Sequence, residues 1–101
     1  MFIIFLRFAA HKDKAPAFME AHKLWLKQGF AEGVFLMSGS LKPAGGGVIL
    51  AHALSLEEAE VRVQADPFVR EGIVSAEIIE VSPSMALPPF DSLSIPTPPT
   101  P

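Results

Sequence analysis

The 101-residue sequence contains no cysteine, which excludes disulfide bonds and metal sites built from thiolates. It has no basic cluster and a formal net charge of −3, which argues against nucleic acid or an anionic membrane as the main partner. No apolar run approaches the length of a membrane span. The apolar start is only six residues long before Arg7 and lacks the features of a signal peptide. These absences favour a cytoplasmic protein.

What the chain does contain is typical of one globular domain. Half of its residues are apolar and 19% are charged, which suits a single core of modest size. Seven of the ten prolines lie at or after Pro83, where we expect regular structure to stop. The sequence therefore predicts a folded domain over residues 1–82 and a proline-rich, extended C-terminal segment over residues 83–101.

The hydrophobic pattern predicts four strands and two main helices. Apolar runs rich in β-branched and aromatic residues mark strands near residues 2–8, 34–39, 47–54 and 73–82. Pro16 suits the first turn of a helix that ends near Glu32, and Ser55 with Glu58 forms a capping box that opens another. This order predicts an α+β, ferredoxin-like βαββαβ fold with a four-stranded antiparallel sheet and two helices on one face.

The first and third strands are apolar on both faces, although the predicted helices cover only one face of the sheet. The other face would then be an apolar patch too large to remain in water. We therefore predict a homodimer in which two sheets pack against each other, as in a dimeric α+β barrel.

His22 is the strongest candidate for chemistry. It is the polar side chain shared by two apolar rows of the first helix, Ala15/Phe18/His22/Trp25 and Met19/His22/Leu26. Asp66, followed by Pro67, is a predicted helix N-cap on the same side of the sheet. With one oxygen bound by backbone amides and the other accepting from the imidazole, Asp66 would orient a general base or acid.

A simpler interpretation remains open for this pair. A buried histidine is often satisfied by a carbonyl group, and an aspartate before a proline is often only a cap. His11 and His52 share no metal-ligand spacing with His22, so we expect no metal site and no cofactor. The glycine-rich segment 44–47 lacks the lysine and hydroxyl residue of a phosphate-binding loop.

Further residues are assigned to a ligand pocket beside His22. Arg7, at the end of the first strand, could bind an anionic group, and Phe18 and Trp25 could stack on a ring. The pocket mouth is assigned to Ser38 and Gly39 through their backbone N–H groups, and Phe68 is a further candidate for substrate binding.

Four segments in order resemble the YCII-related (YciI-like) family: HKLWL at 22–26, GVFLMSGSL at 33–41, LSLEEA at 54–59 and ADPFVREGI at 65–73. The resemblance implies a dimeric α+β barrel with a His–Asp active site at His22 and Asp66. It also implies that Ser38 and Gly39 line the pocket. Where activity has been attributed to the family, it concerns small substituted aromatic compounds, as in dehydrochlorination of a chlorinated hydroquinone. Met19 stands where many members carry an arginine, which leaves Arg7 as the candidate for anion binding.

Three functions follow as hypotheses. The first is a cofactor-independent lyase or isomerase that transfers a proton on a small substrate, with His22 as the base or acid and Asp66 orienting it. The second is a non-catalytic dimeric module that binds a small ligand or accompanies a larger enzyme. The third, less favoured, is haem or metal ligation by a histidine, as in distant relatives of the same architecture.

Overall fold

A computed structural model describes residues 1–88 of the chain. Its strands and helices follow one another as β1 Phe2–Phe8, α1 Ala15–Ala31, β2 Phe35–Ser40, β3 Gly47–Ala51, α2 Leu56–Gln64, α3 Pro67–Arg70 and β4 Val74–Glu80. A 3-10 turn at Lys12–Lys14 precedes α1. Residues 81–88 lie outside helices and strands, and the rest of the predicted C-terminal segment lies outside the described residues.

The sheet has the strand order β2-β3-β1-β4, and every neighbouring pair is antiparallel. This confirms the predicted ferredoxin-like topology: β1 and β3 are the central strands, α1 leads from β1 to the edge strand β2, and α2 and α3 lead from β3 to the edge strand β4. Because side chains alternate along a strand, Phe2, Ile4 and Leu6 are buried while Ile3 and Phe5 are only half-buried on the other face. The core lies between the sheet and the helices.

The first helix packs closely on the sheet at one glycine. Gly29 is buried, and a Cβ atom placed on it would overlap the ring of Phe35. A glycine inside a helix costs about 0.5–1 kcal/mol relative to alanine, so the close approach explains why it stands there. The helix ends as predicted, with Glu32 as C-cap and Gly33 following at φ +75°.

The second helix begins with the predicted capping box. The Ser55 hydroxyl accepts from the Glu58 amide at 3.0 Å, and the Ser55 amide donates to the Glu58 carboxylate at 2.8 Å. The backbone hydrogen bond from Ser55 holds the pKa of Glu58 below its usual value. Ala59 and Val63 are buried, whereas Leu56, in the first turn of the helix, is 41% exposed.

An irregularity in β2 changes which side chains face the helices. Phe35 pairs with Ala51 and Met37 pairs with Leu50, so the register shifts between them. Ser38 then pairs with Ile49 and therefore faces the helices together with Phe35, although the two residues are an odd number apart. None of the helices in the described part of the chain is long and apolar enough to span a membrane.

Candidate active site

His22 and Asp66 are hydrogen-bonded to each other. The Nδ1 atom of His22 lies 2.8 Å from Oδ1 of Asp66. Asp66 is fully buried, while 12% of the His22 side chain remains exposed. An ionised carboxylate accepts only, so a hydrogen bond to ionised Asp66 requires the proton of the neutral ring on Nδ1. Because Nδ1 is occupied, Nε2 is the ring atom left for a ligand; it bonds no described residue and is not buried.

The carboxylate of Asp66 is fixed by the start of α3. Asp66 is the N-cap of this four-residue helix, and its Oδ1 accepts the Phe68 amide at 3.0 Å. The expectation that different oxygens serve the backbone and the imidazole is therefore wrong, since Oδ1 does both. Oδ2 is buried and has no hydrogen-bond partner among residues 1–88. The rigid cap sets the position of the histidine ring.

Two aromatic rings stack on the imidazole of His22. The Phe68 ring lies parallel to it, with the centroids 4.1 Å apart and an interplanar angle of 4°. Trp25 lies further away, at 5.8 Å and 26°. Phe68 thus places its backbone amide on Asp66 and its ring on His22, so one residue orients both members of the pair.

A pocket of about 360 Å³ opens beside His22. Both the sheet and the helices contribute to its wall, which is mainly apolar. The apolar side chains on the wall include Leu6, Phe8, Met19, Leu26, Phe68 and Val74. The polar side chains on the wall are His22, Lys23, Ser38 and Ser40. This volume is at the lower end of ligand pockets, which span roughly 300–1,000 Å³, and suits a compound smaller than a typical drug.

The sequence match agrees with the resemblance noted above: the YCII-related domain model matches residues 1–82. The chain belongs to the YCII-related family. Its fold is similar to that of 5-chloro-2-hydroxyhydroquinone dehydrochlorinase from Burkholderia phenoliruptrix, solved in complex with 2,5-dihydroxybenzoquinone. The TM-score is 0.64 at 17% identity, over 80% of this chain and 93% of that chain. No curated protein matches the sequence significantly.

Of the residues predicted for the site of this YCII-family chain, His22, Ser38, Gly39 and Phe68 line the pocket, and Asp66 lies behind His22. Arg7 does not. It is on the face of the sheet opposite the helices, where its guanidinium bonds Glu77 at 2.6 Å and covers the Phe5 ring at 4.7 Å. The reason is its odd position in β1, whose even positions face the pocket.

Phe18 and Trp25 are also outside the pocket wall. Phe18 packs against the core, and Trp25 meets the Phe35 ring edge-on at 5.2 Å. The Trp25 indole donates to the carbonyl of Arg62 at 3.0 Å, which ties α1 to α2. Both rings are therefore packing residues.

The wall also includes side chains that were not predicted for the site, among them Leu6, Phe8, Lys23 and Ser40. The positions of Leu6 and Phe8 could be inferred from the alternation of side chains along β1, because both are at even positions, which face the helices. Ser40 faces the pocket because of the register shift in β2, which the sequence pattern does not predict. Within residues 1–88, no three histidine, aspartate or glutamate side chains come together as a metal-binding group.

Proposed function

We propose that the chain is a cofactor-independent enzyme that transfers a proton on a small substrate, as a lyase or an isomerase, with aromatic compounds as the first class to test. The observation that carries the proposal is the His22–Asp66 hydrogen bond of 2.8 Å beside a pocket that His22 lines. Family membership and a fold neighbour that is a dehydrochlorinase support it.

In the proposed reaction, the neutral imidazole keeps its proton on Nδ1 and uses the Nε2 lone pair as base. Nε2 accepts a proton from an O–H or C–H group of the substrate, and the buried carboxylate of Asp66 stabilises the imidazolium that forms. In an isomerisation, Nε2 returns the proton to another substrate atom. In an elimination, the leaving group departs as an anion with the electron pair of its bond to carbon, and the proton is later released to water.

The test is chloride release from 5-chloro-2-hydroxyhydroquinone, the compound in the name of the fold neighbour. Loss of a general base typically costs a factor of about 10²–10⁴ in rate, so we expect such a loss in His22→Gln. His52→Gln is the matched control, because His52 bonds the Gly33 carbonyl away from the pocket. Wild-type turnover by folded His22→Gln would refute the role of His22.

The alternative function is a non-catalytic module that binds a small ligand or accompanies an enzyme. It is favoured by the lack of a carboxylate on the pocket wall, since no aspartate or glutamate of the described residues lines the pocket. Titration with 2,5-dihydroxybenzoquinone separates the two functions. Shifts in the NMR signals of His22 and Phe68 without turnover of chlorinated hydroquinones would support the binding module.

We also propose that a second copy of the chain covers the open face of the sheet. Ile3, Phe5 and Leu50 are only half-buried there, and Met37 and Ile79 are 43% and 41% exposed. These side chains form one patch because Ile3 pairs with both Leu50 and Ile79. An apolar face of this kind is typical of a homodimer interface. A solution mass twice that of one chain is the expected result, and the mass of one chain would refute the dimer.

A further inference from the structure

We propose that Lys23 makes the pocket selective for single-ring compounds that carry an anionic oxygen, a phenolate or a carboxylate. The inference names the substrate class of the proposed enzyme, and it rests on the pocket beside His22 being the binding site. Lys23 is the only lysine or arginine on the pocket wall formed by the described residues. It follows His22 directly in α1, is exposed, and forms no ion pair with any residue from 1 to 88.

The surroundings of Lys23 favour an anion further. No carboxylate side chain of the described residues is on the wall, so nothing there neutralises the ammonium group. A second cation is close to the same cavity, since Nζ of Lys12 lies 5.8 Å from the centroid of the Phe8 ring, which lines the pocket. Lys12 therefore adds a second positive charge close to the cavity.

The charge behind His22 explains why a cation is needed on the wall. Asp66 is buried next to the imidazole, and a negative charge there repels an anionic substrate that approaches Nε2. An ammonium group on the wall offsets this repulsion. It also stabilises the additional negative charge that a substrate gains when Nε2 removes a proton. A ligand that arrives neutral would not require the first effect.

The remaining polar side chains are on the strand β2. Ser38 and Ser40 line the pocket, and neither hydroxyl bonds another described residue. Both can therefore bond a polar substituent of the ligand. Apolar side chains such as Leu6 and Met19 complete the wall, which suits the ring itself. The arrangement fits an aromatic ring with an anionic oxygen towards Lys23 and further oxygen substituents towards β2.

The experiment compares benzoate with benzamide, which has the same ring and shape but no charge. Each is titrated into the full-length wild-type protein and three variants, Lys23→Met, Lys23→Arg and Lys27→Met, with binding followed by NMR shifts of pocket residues. Lys27 is the matched control, because it is an exposed lysine of the same helix outside the pocket wall. We expect Lys23→Met to weaken benzoate binding by about 1.5- to fivefold, as for an exposed ion pair, and to leave benzamide binding unchanged. Lys23→Arg and Lys27→Met should bind benzoate like the wild type.

Equal affinity of the wild type for benzoate and benzamide, or no binding of either, would overturn the inference. An equal loss of both ligands in Lys23→Met would overturn it as well, because it would indicate a change in shape. These titrations measure binding alone, so their outcome does not depend on whether the protein catalyses the proposed reaction. A wild type without a preference for benzoate is a failure of the Lys23 assignment alone, and full activity of His22→Gln is a failure of the proton transfer alone.

Discussion

Asp66 holds the ring of His22 through the same oxygen atom with which it caps α3. Oδ1 lies 2.8 Å from the imidazole Nδ1 and 3.0 Å from the Phe68 amide, while Oδ2 has no partner among residues 1–88. The orientation of the candidate base and the start of a helix thus depend on one acceptor. A substitution of Asp66 therefore affects both the orientation of the His22 ring and the N-terminal cap of α3.

The first prediction concerns the tautomer of His22. We expect the neutral ring to carry its proton on Nδ1, because the buried carboxylate accepts from that atom. Two-dimensional NMR of the ¹⁵N-labelled ring distinguishes the Nδ1–H form from the Nε2–H form by their chemical shifts. In Asp66→Asn the preference for the Nδ1–H form should weaken, because the amide side chain can also donate a hydrogen bond to Nδ1. A neutral wild-type ring with its proton on Nε2 would contradict the proposed mechanism.

The second prediction separates the cap from the charge at position 66. Asp66→Ala removes the acceptor of both hydrogen bonds, and we expect it to lower the free energy of unfolding by about 2–3 kcal/mol. Asp66→Asn keeps a carbonyl acceptor and should cost about 1 kcal/mol. Urea denaturation at one protein concentration measures both. Asp13→Ala, at an exposed aspartate, is the control and should change stability by less than about 0.5 kcal/mol. Equal losses for Ala and Asn would contradict this account.

Local chemistry made much of the fold predictable. Ser55 and Glu58 mark the start of α2, and Asp66 with Pro67 marks the start of α3. At each start, the side chain of the N-cap residue accepts a hydrogen bond from a backbone N–H group that has no partner within the helix. The element order then limits the topology, which brings His22 and Asp66 together across 44 positions of sequence. The pair was predictable because both features lie on elements with well-defined ends.

The pocket wall was less predictable, for identifiable reasons. Ser40 faces the helices only because the register of β2 shifts after Phe35, and a shift of one residue moves every later side chain to the other face. Lys23 is next to His22 in sequence, about 100° away around the helix, so the apolar rows assign it to solvent. It lines the pocket together with Met19, which lies one turn before it on the same face of the helix. Arg7 could have been excluded from its parity in β1.

The third prediction tests the contact between α1 and the sheet. A Cβ atom at position 29 would overlap the Phe35 ring, so Gly29→Ala must displace the ring or the helix. Such overpacking costs about 1–3 kcal/mol, although alanine is intrinsically the better helix residue. Urea denaturation should therefore show a loss of stability. Gln28→Ala, at the exposed neighbouring position, should be neutral or slightly stabilising. A gain of stability in Gly29→Ala would contradict the close approach.

The fourth prediction concerns acid and the start of α2. The hydrogen bond from the Ser55 amide lowers the folded-state pKa of Glu58 below its ordinary value of 4.5. The ionised carboxylate therefore stabilises the folded state above pH 4.5, and this contribution is lost as the pH falls through the lowered pKa. We expect the stability advantage of wild type over Glu58→Gln to be largest near neutral pH and to vanish in acid. Chemical denaturation of both proteins across this pH range measures it, and a pH-independent difference would contradict the cap assignment.

The fifth prediction tests the proposed dimer at the centre of the open face. Leu50 pairs with Ile3 on one side and Met37 on the other, so Leu50→Lys would place an unpaired charge inside an interface of two such faces. Burial of an unpaired charge costs several kcal/mol, and we expect the variant to have the mass of one chain by light scattering while its far-UV circular dichroism stays that of the wild type. Leu24→Lys is the control, because Leu24 is 70% exposed on α1, and it should remain a dimer. A dimeric, folded Leu50→Lys protein would show that the two copies meet through another surface.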